Sequence, residues 1–473
     1  MKGSKMELKF RELLNIEKVR FDFIGEASLL EQAIDSFCID SRVIESDQTF
    51  IAIKGDRHDG HDFIAEVVAK GARAILASRS WYHQRGDQIP QGNYFLVNDT
   101  LEALQAIAHY YRQKFPIPIV AVTGSNGKTT TREMIATVLE QKYHVLKNLG
   151  NLNNHIGVPL TLLNLAPVHQ LGVIEMGTNH PGEIARLAEI ACPTAGLITN
   201  IGPAHLEFFG SLEGVFEAKT ELWRYLEQAG ELAFVNVDDP LLAKRLPATK
   251  RMVTYGFENP AQISGRFLGL DNEGRAAFAV NRVAIQLKIA GMHNIYNGLA
   301  AVAVGLEFGL ALEPIKSALE AFSPASKRME VIRKDGVVII NDCYNSNPES
   351  ARKALLTLSQ MKALGKRIAV LGDMLELGHW ARSEHESVGR YVATLGNIQS
   401  LLTFGELSLL TAKEAQRQGM KNVFYFNDKS KLIEQLKRMV SDGDVILIKG
   451  SRGMAMEQVT AALIAEAGRS LSK

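Results

Sequence analysis

Short apolar runs recur along the chain, each closed by glycine, asparagine, aspartate or proline and followed by a stretch whose apolar positions repeat every three or four residues. Runs of that length read as strands and the stretches after them as helices. Near the start, Thr49 to Ile53 predicts a strand, Phe63 to Ala69 a helix and Ala74 to Leu76 another strand, the pattern of a small α/β domain. Phe115-Pro116-Ile117-Pro118 is a stiff connection, and the apolar run Ile119-Val120-Ala121-Val122 begins directly after it. Strand then helix continues through Val173-Ile174, Gly196 to Thr199 and Ala233 to Val237, up to Ser323-Pro324-Ala325-Ser326. Such alternation predicts a mostly parallel sheet. A last group, Val337 to Ile340, Ile368 to Leu371, Leu401 to Phe404 and Val445 to Ile448, predicts a Rossmann-like unit. The expectation is an α/β protein of three domains, 1–117, 118–325 and 326–473.

Composition narrows the class. A length of 473 residues fits roughly three domains, and 46% hydrophobic with 22% charged residues is ordinary for a globular chain. Lysine plus arginine (53) balances aspartate plus glutamate (52), so no overall field favours nucleic acid or an anionic membrane. Any anion must be bound locally. Cys38, Cys192 and Cys343 are scattered and lack metal-ligand spacing, as in a reducing compartment. The amino terminus has no apolar signal core and no run approaches the ~20 residues of a membrane span, so a cytoplasmic protein is expected.

The strongest local motif is Thr123-Gly124-Ser125-Asn126-Gly127-Lys128-Thr129-Thr130, between a strand and a helix carrying Met134, Ile135, Val138 and Leu139. Glycines let backbone N–H groups approach phosphates, lysine reaches the β/γ-phosphates and the Thr129 hydroxyl suits Mg²⁺. The common spacing would put glycine at 122, where this chain has Val122. Lys128 is expected to be exposed on this loop. Asn151 to Pro159 is amide-rich, with Asn153 and Asn154 either ligand contacts or turn formers. Glu175 ends a strand at the sheet edge where ligands usually lie, and His205 ends another; a lone histidine there is as readily a turn hydrogen-bonder. Lys219 falls on one helical stripe with Val215, Phe216, Leu222, Trp223 and Leu226. Periodicity alone favours a lysine that snorkels; full desolvation would instead favour a neutral amine able to form a carbamate with carbon dioxide. Asn294 and Asn297 share a helix face, unless one is merely an N-cap. In the last domain, Asp342 to Pro348, Gly372-Asp373-Met374 and Lys449 to Gly453 each follow an apolar strand, so all three should meet at one sheet edge.

In order and spacing these motifs resemble the Mur ligase family across all three domains. The shared pieces are Thr123 to Thr130, Asn153-Asn154 with Gly157 and Pro159, Glu175, His205, Lys219, His293-Asn294 with Asn297, and Arg328. Asp40-Ser41-Arg42, Asp59-Gly60-His61, Asp342 to Pro348, Leu371 to Gly378 and Lys449 to Gly453 resemble the member that adds D-alanyl-D-alanine. One departure is Asn341, where a second aspartate would be expected. The resemblance implies a domain for the uridine nucleotide, a central P-loop ATPase with a parallel sheet, and a Rossmann-like domain. It further implies ATP and Mg²⁺, and a monomer joining D-alanyl-D-alanine to UDP-N-acetylmuramoyl-tripeptide through an acyl phosphate. Its implied ATP contacts are Gly124, Ser125, Asn126, Gly127, Lys128, Thr129, Thr130, Asn294, Asn297, Arg328 and Asp342. Lys128, Glu175, His205 and Lys219 are the implied catalytic group. Thr129, Glu175, His205 and a carbamate on Lys219 are the implied metal ligands. Ser41, Arg42, Asn153 and Asn154 are the implied substrate contacts. The preceding ligase of the pathway should carry Asp-Asn-Pro-Arg, which is missing from the third domain here; folylpolyglutamate synthase lacks the first-domain motifs. A non-catalytic nucleotide-binding regulator would have no need of Lys128, Glu175, His205 and Lys219 together.

Overall fold

The computed structural model describes residues 6–55, 57–323 and 327–465. These form three sheets, each built from strands that follow the apolar runs. The first comprises β1 (Asp22–Ile24), β2 (Phe37–Cys38), β3 (Thr49–Ile51), β4 (Ala74–Ser78) and β5 (Tyr94–Val97), in the order β1-β5-β4-β3-β2. The strand expected at Thr49 stops at Ile51, and the helix after it is Ile64–Ala69.

The second sheet holds β6 (Ile119–Thr123), β7 (Val145–Lys147), β8 (Leu171–Glu175), β9 (Ala195–Ile198), β10 (Leu232–Asn236), β11 (Met252–Gly256), β12 (Ile263–Leu270), β13 (Arg275–Val280) and β14 (Val283–Ala290). Its order is β14-β13-β12-β11-β10-β9-β6-β8-β7. From β7 to β12 neighbouring strands are parallel, as expected of buried Val/Ile/Leu runs. β12 to β14 form an antiparallel meander that the strand-helix reading did not foresee. Because β6 lies between β8 and β9, the chain leaves β6 at a crossover point, with Glu175 on one side and Thr199 on the other. In α/β sheets this crevice is where ligands bind.

The third sheet contains β15 (Glu330–Lys334), β16 (Val337–Asp342), β17 (Arg367–Gly372), β18 (Ser400–Phe404), β19 (Val423–Phe426) and β20 (Val445–Lys449), ordered β15-β16-β20-β17-β18-β19. Only the β15–β16 pair is antiparallel among them. Pairing sets Asp342 opposite Lys449 and Lys449 opposite Leu371, so the three polar segments after β16, β17 and β20 emerge side by side. Of the segment expected to separate the second and third units, Pro324, Ala325 and Ser326 lie outside the described residues. Among the described residues no helix is long and apolar enough to cross a membrane.

Candidate functional site

The loop after β6 has a backbone that only glycine supports at two points. Gly124 has φ +138°, and a Cβ there would collide with Thr199 Oγ1; Gly127 has φ +80° and faces Asn297 Oδ1. Neighbouring side chains fix the loop from outside. Ser125 Oγ donates to the Gly202 carbonyl at 3.0 Å, Asn126 N donates to Asn200 Oδ1 at 3.1 Å, and Thr199 Oγ1 donates to the Asn126 carbonyl at 2.6 Å. The turn then enters the helix Lys128–Leu139, whose first N–H groups point at the cleft. Val122, where the common motif would have glycine, is a wholly buried residue of β6. We expect Gly124→Ala to destabilise the protein by roughly 2–3 kcal/mol, through both the collision and the forced backbone. Gly150→Ala, where open space surrounds the position, should cost at most about 1 kcal/mol by denaturant titration.

Lys128 is not exposed as expected. It is partly buried, with Nζ donating to the carbonyls of Gly124 at 2.7 Å and Ser125 at 3.2 Å. Burial lowers its pKa and Arg328 adds to the effect, while Glu175 opposes it.

Glu175, only 1% exposed, is the node beside the loop. Its Oε1 accepts from Thr129 Oγ1 at 3.1 Å and Asn153 Nδ2 at 2.7 Å. Oε2 lies 3.3 Å from Arg132 Nη1 as an ion contact, with no hydrogen bond directed at it. Asn148 holds the Glu175 backbone in both directions. Arg132 and Asn148 escaped the sequence reading. Arg132 sits one turn after Lys128, where an arginine ordinarily reads as a solvated helix face, yet it is 1% exposed. Asn154 also lines the cleft, and its Oδ1 accepts from the N–H groups of Ile156 and Gly157 at the start of the next helix, so its turn-forming role is real.

Lys219 ends the helix Leu212–Lys219 and is 1% exposed, so the snorkelling reading is set aside. It makes no hydrogen bond or ion pair among the described residues. Burial first, then the charge of Lys128, push its pKa well below the usual lysine value. It stands behind the cleft rather than on its surface. His205 does line the cleft; its backbone is left-handed at φ +51°, and its Nδ1 is 2.6 Å from Glu376 Oε2 of the third domain. No group of three or more His, Cys, Asp or Glu side chains suited to a metal occurs among the described residues.

Asn294 and Asn297 behave as their spacing predicts. Asn297 Nδ2 donates to Asn294 Oδ1 at 2.8 Å, and Thr131 Oγ1 donates to Asn297 Oδ1 at 3.0 Å, which holds the pair against the loop. Neither is the N-cap, a place taken by His293. His293 is buried and stays neutral, its pKa pushed down to about 3 by burial, then by Lys353 and Lys449.

The third domain closes the cleft, which has a volume of about 830 Å³. The Arg328 guanidinium lies 3.7 Å above the Tyr344 ring, and Lys449 Nζ donates to Asp342 Oδ2 at 2.6 Å and to the Asn345 carbonyl at 2.9 Å. Asn347 Nδ2 donates to Asn126 Oδ1 at 2.8 Å, and Asn126 Nδ2 donates to Glu349 Oε2 at 2.9 Å. This segment therefore meets the phosphate loop directly. The expected cluster of three segments also forms: Ser451 Oγ donates to the Ser346 carbonyl and accepts from Leu375 N. Asn341 points the other way along β16 and donates to Glu330, which gives it a role inside the domain. Ser41 and Arg42 are not brought to the cleft. Arg42 is exposed and grips Asp40 through two hydrogen bonds of 2.8 and 2.7 Å, which hold the Asp40 carboxyl down at about 2; the Ser41 carbonyl accepts from Lys70. His61 is likewise spent on Asp59 and the Ser78 N–H.

Fold and site together define a P-loop α/β protein whose phosphate loop is covered by a second, Rossmann-like sheet. The Mur ligase family, catalytic domain, matches residues 33–112, the Mur ligase middle domain matches 122–305, and the Mur ligase, glutamate ligase domain matches 327–452. The chain belongs to the Mur ligase family. It is 36% identical over 460 residues to the UDP-N-acetylmuramoyl-tripeptide--D-alanyl-D-alanine ligase of Bacillus subtilis, covering 96% of this chain and 98% of that one. It is also 36% identical to the Escherichia coli protein of the same name, covering 93% and 96%. Among solved structures it resembles MurF from Acinetobacter baumannii (TM-score 0.87, 30% identity, 98% of this chain and 100% of that one). MurF ligase from Thermotoga maritima in complex with ADP is similar too (TM-score 0.79, 30% identity, 92% and 98%).

Proposed function

We propose that this protein is an ATP-dependent, ADP-forming ligase that joins D-alanyl-D-alanine to UDP-N-acetylmuramoyl-tripeptide in cytoplasmic peptidoglycan precursor synthesis, acting as a monomer of three domains, 1–117, 118–325 and 326–473. The observation that carries this reading is the meeting of the Asn345–Glu349 segment with the phosphate loop in one cleft, in a chain whose relatives of that name match along nearly its whole length. ATP lies with its phosphates on the loop Gly124–Thr130, while Asn294, Asn297, Arg328 and Asp342 hold the rest of the nucleotide. The tripeptide's terminal carboxylate attacks the γ-phosphorus, the bond to the β-phosphate oxygen breaks and ADP leaves. The amine of D-alanyl-D-alanine then attacks the acyl carbon, phosphate departs and the nitrogen loses a proton. Lys128 and the loop N–H groups offset the charge that builds on the transferring phosphoryl. Asn153 and Asn154 line the substrate side, and Ser41 and Arg42 serve the uridine nucleotide on the first domain.

Two cations fit the residues present. Glu175 carries a buried oxygen, Oε2, with no hydrogen bond aimed at it, beside the Thr129 hydroxyl, an all-oxygen donor pair of the kind Mg²⁺ takes. His205, Glu175 and a carbamate on Lys219 are the candidates for the second. When bound, such ions neutralise phosphate charge and orient its oxygens. Burial keeps the Lys219 amine neutral, and a neutral amine adds carbon dioxide with loss of one proton.

The test is phosphate release with the tripeptide acceptor and D-alanyl-D-alanine, D-alanine, lysine or diaminopimelate as the amine. Turnover should require the dipeptide, with discrimination of ~10⁴ when fixed polar groups would otherwise be left unpaired. Robust turnover of a single amino acid on a muramoyl-dipeptide, and none with the dipeptide amine, would reassign the chain to the preceding ligase.

A further inference from the structure

We infer that Glu376 of the third domain is a positioning residue for His205 of the central domain, holding the imidazole as its Nδ1–H tautomer so that Nε2 serves the cleft only while the two domains touch. The inference rests on the proposed reading of His205 as a cation ligand. The contact itself is built rather than incidental. His205 Nδ1 and Glu376 Oε2 are 2.6 Å apart, and both residues adopt the left-handed backbone, at φ +51° and +63°, which is uncommon without glycine. Strained positions of this kind persist only where their surroundings fix them.

Here three further contacts fix them. Glu207 N donates to the Glu376 carbonyl at 3.3 Å, and the Trp380 indole N–H donates to the Gly210 carbonyl at 3.3 Å. Gly378, at φ +53°, lies so close to Glu207 that a Cβ would sit 3.1 Å from its Cα. The loop after β17 is thereby fastened along the short helix Leu206–Phe209 that His205 opens. Nε2 has no hydrogen-bond partner among the described residues, and His205 lines the cleft. A carboxylate on one ring nitrogen fixes the tautomer and raises the basicity of the other, the usual support of a ligating histidine. Because the carboxylate and the imidazole come from different domains, separating them disarms the ligand.

The test uses the full-length protein with ADP and Mn²⁺ as a paramagnetic probe, comparing wild type, His205→Ala, Glu376→Ala and Glu376→Gln. Glu376 is half-exposed, so neither substitution threatens folding. We expect Glu376→Ala to weaken Mn²⁺ binding roughly 10–100-fold and to lower kcat while leaving the KM for the dipeptide amine in place. Glu376→Gln, which retains an acceptor, should lie between. Nitrogen NMR of His205 should show one tautomer in wild type and a mixture in Glu376→Ala. If His205→Ala weakens Mn²⁺ binding and Glu376→Ala does not, the positioning role is wrong and the metal reading of His205 survives. If His205→Ala leaves Mn²⁺ binding intact, the metal reading itself falls and this inference with it. A raised KM for the dipeptide with unchanged Mn²⁺ affinity would make Glu376 a substrate contact and overturn the proposal.

Discussion

Lys219→Ala is expected to lower the ligation rate by roughly 10²–10³-fold, the scale of losing one charged group aimed at a developing phosphoryl charge, and to be partly rescued by a short carboxylic acid. The reason is the burial of an amine that has no partner of its own: Lys219 is 1% exposed and its pKa is driven well below the ordinary value, first by desolvation and then by Lys128. A buried lysine without a carboxylate destabilises a fold unless it serves something else. Alanine would also leave a cavity, so Lys219→Met, which keeps most of the volume, separates chemistry from packing. The sign of the pH effect follows from the depressed pKa. Between the lowered value and the usual 10.5, the unfolded chain binds a proton that the native chain does not. Stability conferred by the native state therefore rises with pH across that window and is lost as pH falls. In carbon-dioxide-free buffer, wild type should gain thermal stability from about pH 7 to pH 9 relative to Lys219→Met. The methionine variant should be at least as stable as wild type near neutrality and as inactive as the alanine. Full activity of Lys219→Met, or equal pH slopes, would remove the neutral-amine argument and the carbamate with it.

What the sequence disclosed of this molecule follows the range of the forces involved. β6, β8, β9, β10 and β20 were legible because each is an uninterrupted apolar run buried on both faces, and such runs announce themselves locally. The meander from β12 to β14 was passed over, although Ile285, Leu287 and Ile289 alternate with exposed residues along β14. The signal there was a period of two inside a chain otherwise read as strand and helix in turn. Lys219 shows a different limit. Its stripe fixed the direction it points, but whether a lysine snorkels or is sealed depends on the layer beyond it, which belongs to residues distant in sequence. Arg132 was lost for the same reason, since its partner Glu175 lies on another strand. The Glu376 contact with His205 crosses between domains, and no local pattern encodes it. Ser41 and Arg42 mark the reverse case: the motif was visible, yet Arg42 is paired with Asp40 away from the cleft.

Lys128→Ala is expected to abolish acyl-phosphate formation, with the single-turnover rate falling by ~10³-fold or more, while the fold and the affinity for UDP-N-acetylmuramoyl-tripeptide stay within about twofold of wild type. The geometry separates these effects. Lys128 Nζ bonds only to the carbonyls of Gly124 and Ser125 in its own loop, whereas the loop's shape is set by Ser125, Asn126, Thr199 and Asn200, none of which the substitution touches. Removing the ammonium thus takes away a charge and leaves the frame. It also takes away the second-ranked cause of the lowered pKa of Lys219, so that amine should titrate higher in the variant, which carbon dioxide exchange would detect. Lys128→Arg is the informative companion, because it keeps the charge but replaces a compact ammonium by a planar fork too broad for two carbonyls of one turn. If charge alone matters, arginine should recover a large part of the rate; if the compact ammonium at the mouth of the loop is what counts, it should recover little. Rapid-quench measurement of acyl phosphate, trapped by reduction with borohydride, distinguishes a lost phosphoryl step from a slow amine attack. Near-normal acyl phosphate in Lys128→Ala would mean that the loop after β6 is not where the γ-phosphate is transferred.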